Sequence, residues 1–64
     1  MNYSEFYQKN AGKRVHVEMT DGEIFEGELF AYISAEDNEP DPESIVVNRT
    51  ELFTSEIRHI EVTL

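Results

Sequence analysis

Residues 13–29 read Lys13-Arg14-Val15-His16-Val17-Glu18-Met19-Thr20-Asp21-Gly22-Glu23-Ile24-Phe25-Glu26-Gly27-Glu28-Leu29. Up to Thr20 the stretch alternates, with Val15, Val17 and Met19 on one face and Arg14, His16, Glu18 and Thr20 on the other. Successive side chains of an extended chain point to opposite sides, so the pattern predicts a half-buried strand over 13–20. Asp21-Gly22 suits the positive φ angles of a tight hairpin turn on that pair, and a second strand is expected from Glu23 to about Ser34. Ile24, Leu29, Ala31 and Ile33 form its expected inward set. Gly27 interrupts the strand, which predicts a bend or bulge there. A strand bent at Gly27 can serve two faces of one barrel, and this accounts for the apolar Phe25, Phe30 and Tyr32 in the opposite phase.

Working outward, residues 2–10 read as a short helix. Ser4 is the expected cap, Glu5 favours the positive end of the helix dipole, and Asn10 with Gly12 closes it. Phe6 and Tyr7 would lie against whatever the helix covers. So short a helix is marginal alone in water, so it should dock on the sheet. Residues 35–44 carry Ala35-Glu36-Asp37-Asn38-Glu39-Pro40-Asp41-Pro42-Glu43, with five acids and two prolines, and predict a solvated acidic loop. Ile45, Val46 and Val47 mark a third strand, Asn48-Arg49-Thr50 a turn, and Leu52 and Phe53 a fourth strand. Thr54-Ser55-Glu56-Ile57 reads as a single 3₁₀-type turn, followed by a last strand from Arg58 to Leu64 with Ile60, Val62 and Leu64 inward. The fold class expected is all-β: one domain over 1–64, a five-stranded, strongly bent small barrel with a short N-terminal helix.

Composition narrows the function. The 64 residues carry 14 acids and 5 Lys or Arg, a net charge of −9. Such a surface repels phosphate backbones and anionic headgroups at long range. No apolar run is long enough to cross a bilayer and no leader-like segment opens the chain, so a cytoplasmic protein without membrane contact is expected. A chain this short buries little surface and usually needs disulfides, a metal or a second copy of itself. With no cysteine, disulfides and thiolate metal sites are excluded, and self-association is the favoured supplement.

The spacing of Asp21-Gly22, Gly27 and Leu29 resembles the first half of the first signature motif of the Sm/LSm family, small SH3-like barrels that begin with a short helix. The Ser55-Glu56-Ile57 turn before a final alternating strand is similar to the end of many such barrels. The resemblance implies an Sm-like fold in which the fourth and fifth strands of adjacent subunits pair. The matching segments here are Leu52, Phe53 and Thr54 on one side and residues 58–64, including Ile60 and Val62, on the other. It also implies RNA binding, but the residues depart from the family pattern. Ile33 stands where an Asp is expected after the bent strand, and Thr54-Ser55-Glu56-Ile57 replaces the usual Arg-Gly pair. Both loops that would line an RNA path are acidic.

Other chemistry finds weaker support. The loop acids Asp37, Glu39, Asp41 and Glu43 recur at every second position, but a helical-type calcium loop needs a glycine that is missing here. His16 and His59, with Glu18 and Glu61, could ligate zinc on neighbouring strands, but mixed-charge pairs on a solvated face are the stronger reading. No cysteine nucleophile, serine elbow or glycine-rich phosphate loop is present, so no enzyme and no cofactor are expected. Phe25, Phe30, Tyr32 and Phe53 could stack bases on a basic surface, yet among Glu23, Glu26 and Glu28 they point to the helix or a protein partner. Lys9, Lys13, Arg14, Arg49 and Arg58 could still form a local basic spot. Three functional readings follow: a homo-oligomeric scaffold without the usual RNA pocket, an RNA-binding Sm-like protein, and an acidic adaptor that docks a basic protein through the acidic loop.

Overall fold

The computed structural model describes residues 1–63. The elements are helix α1 (Tyr3–Asn10), strands β1 (Arg14–Met19), β2 (Ile24–Ile33), β3 (Ser44–Val47) and β4 (Thr50–Phe53), a 3₁₀ turn (Thr54–Glu56), and β5 (Ile57–Val62). The strands form one antiparallel sheet in the order β4-β3-β2-β1-β5. The expected barrel is therefore not closed, and among the described residues no ladder joins the two outer strands. The sheet is nonetheless curled. Phe53 ends β4 and Ile57 begins β5, and four residues of extended chain span no more than about 14 Å, so the two edges lie close at that end.

All five strands feed one core: Val15, Val17, Met19, Leu29, Ile45, Val47, Leu52 and Ile60 are buried. Tyr3, Phe6 and Tyr7 of α1, with Phe25, Tyr32 and Ile57, pack around it. The helix is thus docked, as an eight-residue segment must be to persist. Its cap is Asn2 and not Ser4. The Asn2 side chain accepts a hydrogen bond from the Glu5 amide at 3.1 Å, and Ser4 already lies inside the first turn. At the other end Asn10 donates to the Phe6 carbonyl at 2.9 Å, and Gly12 turns at φ 83 to donate to the Leu29 carbonyl.

The β1–β2 turn is one residue longer than the tight pair expected. The Met19 amide donates to the Glu23 carbonyl at 2.8 Å and Gly22, at φ 93, donates to the Met19 carbonyl at 3.0 Å, so Thr20, Asp21 and Gly22 form the loop. Asp21 caps it by accepting from the Glu23 amide at 2.9 Å. Adding one residue to a turn reverses the phase of the strand that follows. Val17 therefore faces Phe25 and Val15 faces Gly27, which turns Phe25 inward and leaves Ile24 58% exposed, contrary to the expected inward set. The phase switches again where the β2–β3 register breaks between Leu29 and Ala31. Phe30 is the extra residue and stands 62% exposed, Tyr32 packs on the core, and Ala31 and Ile33 are only half-buried. Leu64 lies outside the described residues.

β2 runs unbroken through Gly27, which pairs with Val15, and the irregularity expected there lies instead between Leu29 and Ala31, so Gly27 matters through a close approach. A Cβ built there would fall 2.1 Å from the side-chain nitrogen of Asn48. Asn48 opens the two-residue β3–β4 turn at φ 56, a left-handed conformation that Asn tolerates. Its side chain lies across β2, accepting from the Glu28 amide at 2.9 Å and donating to the Glu26 carbonyl at 3.4 Å.

Candidate functional site

The two outer strands are the natural place to look for a site, because each has one edge of backbone groups outside the ladder. Of the residues expected to meet a partner, Leu52 and Ile60 point into the chain's own core, Phe53 and Thr54 are half-buried, and Val62 is 38% exposed. The edges therefore offer backbone and flanking side chains, while Leu52 and Ile60 are already used.

Beside β4 lies an open cleft of about 310 Å³ between that strand, the 3₁₀ turn and the β1–β2 hairpin. Met19, Phe25, Leu52 and Phe53 supply apolar surface, and Asp21, Glu23, Glu51 and Glu56 supply carboxylates, with no base in the lining. The hairpin is fixed to the turn by the Thr20 amide donating to the Glu56 carbonyl at 2.8 Å. A second depression, which also reaches Thr50, gathers Phe30, Val46, Asn48 and Arg49.

No family model matches this chain, nor does any curated protein or solved structure. Its resemblance to Sm/LSm proteins rests on the motif residues alone.

The acidic loop is more ordered than its composition suggests. Asn38, half-buried, donates to the Pro42 carbonyl at 2.7 Å and to Glu51 at 3.0 Å, and the buried Ser44 hydroxyl donates to the same Glu51 carboxylate at 2.7 Å. Glu43 closes the loop. Its carboxylate accepts from the Tyr32 hydroxyl and from the Thr54 hydroxyl at 2.6 Å, and its carbonyl accepts the Thr54 amide at 3.0 Å. The hydrogen bond to Glu43 pushes the Tyr32 phenol above its ordinary pKa, with burial adding to it. Tyr3 is raised mainly by burial, then by the Glu43 charge. Tyr7 stacks on Tyr32 with ring centroids 6.4 Å apart. Glu36, Asp37, Glu39 and Asp41 remain exposed, as a solvated loop requires.

On the outer face of β1, His16 Nδ1 lies 2.9 Å from a Glu26 oxygen and Nε2 lies 3.3 Å from Glu18, whose other oxygen is 3.1 Å from Arg58. The bond to Glu26 is the chief cause that raises the His16 pKa. Glu18 is lowered first by Arg58 and then by His16, and Glu26 first by His16. His59 pairs instead with Glu61 at 3.4 Å. Among the described residues no three His, Asp or Glu side chains converge as metal ligands do, and no helix is long and apolar enough to cross a membrane.

Sequence reasoning found the edge strands and the turn at Asp21 and Gly22, but placed the β2 irregularity at Gly27 when it lies at Phe30, and missed Asn48, Asn38 and Glu43. Asn48 did leave a signal: an asparagine in a short turn tolerates positive φ, and Gly27 across from it supplies the space.

Proposed function

We propose that this protein is a non-enzymatic, Sm-like assembly module that joins copies of itself through its outer strands. The observation that carries the reading is the strand order. It places β4 and β5 at the two edges of a curled sheet, so one copy's β4 can pair with the next copy's β5 and continue the ladder from subunit to subunit. Such pairing satisfies backbone groups on both edges at once. It also adds a neighbour to a core of only eight buried apolar side chains among the described residues, which is small for independent stability. In this reading the neighbouring strand completes the small barrel that the curl leaves open. The acidic cleft beside β4 disfavours a phosphate backbone, so the assembly works without the family's RNA pocket.

Sedimentation equilibrium on the purified chain at about tens of micromolar, where mass action favours such assemblies, should return a multiple of the 7.4 kDa subunit mass. A single species of that mass at every concentration would remove the proposal. Uridine-rich and adenine-rich strands should show no retention in low-salt filter binding, and retention there would favour the RNA-binding reading instead.

A further inference from the structure

We infer that two copies also meet back to back, through a two-fold contact between the outer faces of β2 and β3 in which Arg49 of each copy pairs with Glu28 of the other across Phe30 and Val46. The contact uses side chains of a sheet face and no edge backbone, so it is separate from the edge pairing proposed above and compatible with it.

The face is built by the extra residue in β2. Leu29 is buried in the core, and the register break between Leu29 and Ala31 turns Phe30 to the other side, where it stands exposed. Val46 lies between the buried Ile45 and Val47 and so points away from the core, and it lines one open depression of about 790 Å³ with Phe30. Two residues earlier on that side, the acidic loop closes over β3: Ser44 is fully buried, with Asn38 and Glu51 bonded at its hydroxyl, whereas Val46 is only half-buried. The charged groups are set by the Asn48 latch. Its bond from the Glu28 amide at 2.9 Å holds the β3–β4 turn against β2 and brings Arg49 and Glu28 to the same depression. Both are exposed, and neither forms an ion pair among the described residues.

Charge selects the occupant. The lining of this depression holds one base and one acid, so the patch is neutral in a chain of net charge −9. The cleft beside β4 holds carboxylates and no base. Two copies meeting cleft to cleft would set like charges face to face, which is costly in an interface, and two copies meeting at Phe30 would not. A two-fold axis exchanges the copies, so a patch that carries both an acid and a base finds its complement in a second copy of itself. An aromatic side chain and an arginine are also the residue types that anchor interfaces most strongly.

Sedimentation equilibrium on the full chain tests it, with folding checked by circular dichroism. At saturating concentration the wild type should reach an even multiple of the 7.4 kDa subunit mass, and Phe30→Ser should halve the mass reached. Arg49→Glu sets carboxylate against carboxylate at both ends of the contact and should weaken the back-to-back step about tenfold or more. Glu28→Arg/Arg49→Glu exchanges the two charges and should restore the wild-type mass, because a two-fold contact then matches again. An odd multiple for the wild type, a mass unchanged by Phe30→Ser, or a charge exchange that fails to restore assembly would overturn the back-to-back contact and leave edge pairing standing. A wild type of twice the subunit mass that Phe30→Ser turns into monomer would support the contact and remove edge pairing. A monomer at every concentration removes both. If the mass never doubles, and a synthetic Phe-Arg-Phe-Glu-Phe peptide binds the wild type but not Phe30→Ser, the face serves a foreign segment and the contact between copies is overturned.

Discussion

The half of the sheet built from β5, β1 and β2 and the half built from β2, β3 and β4 are held by different means. In the first, strands of six to ten residues, broken in register only between Glu18 and Met19 against β5, bury one face and carry ion pairs on the other, centred on His16 between Glu18 and Glu26. In the second, β3 and β4 have four residues each, and side chains that bond backbone or hydroxyl groups do much of the fixing: Asn48 over Gly27, Glu43 between Tyr32 and Thr54, Asn38 and Ser44 on Glu51. Long strands specify their pairing through alternation, whereas short strands need particular side chains to fix loop and register.

The largest effect that would sharpen this contrast belongs to the core both halves share. Leu29→Ala should cost about 2–5 kcal/mol in urea unfolding, because the side chain is fully buried where the halves meet. A loss under about 1 kcal/mol would mean the core is looser than its burial implies.

Gly27→Ala comes next and tests the Asn48 latch. The new methyl would collide with the Asn48 amide, so a loss of about 1–3 kcal/mol is expected, as for overpacking elsewhere. In an Asn48→Gly background, which keeps the positive φ, the same change should cost much less. Additive losses in that double-mutant cycle would show that the two residues act separately.

Glu43→Gln should destabilise the β2–β4 half by about 1–3 kcal/mol through its bonds to Tyr32 and Thr54. It should also bring the Tyr32 phenol back toward its ordinary titration range, read by ultraviolet absorbance. An unchanged tyrosine titration would break the assignment.

In the first half the expected effect is smaller and depends on pH. The His16 pKa is raised from 6.5, so its share of stability is fully present below that value and is lost as pH rises through the higher folded value. Glu18 and Glu26 are lowered from 4.5, so their share is present above 4.5 and is lost as pH falls through their lower folded values. The stability gap between wild type and His16→Gln should therefore be widest from about pH 4.5 to 6.5 and shrink on either side. Thermal unfolding across that range measures it, and a gap independent of pH would contradict the ion-pair account.

The same contrast explains what could be read in advance. Val15, Val17 and Met19 announced β1, because strict alternation has only one inward solution, and the order of elements followed from the turns and prolines between them. The phase of β2 was not legible. It depends on whether Thr20 belongs to the strand or the turn and on an extra residue at Phe30, and in both places neighbouring residues are apolar in either phase. The edge strands were visible as segments and Ile60 was legible as an inward residue, but the burial of Leu52 in the chain's own core and the exposure of Val62 are tertiary facts. Asn38, Glu43 and Asn48 looked like ordinary loop polars because their partners lie 11 to 22 residues away in sequence. The cleft's acidity was legible only as part of a net charge, since the fold alone brings Asp21, Glu23 and Glu56 to one side.

The central claim is that the outer edges of β4 and β5 are occupied by neighbouring copies, and amide hydrogen exchange read residue by residue tests it most directly. Outer-strand amides in Thr50–Phe53 and Ile57–Val62 should gain protection as protein concentration rises, while β1 and β2 amides stay unchanged. Equal exchange from β4 and β5 in dilute and concentrated samples would contradict it.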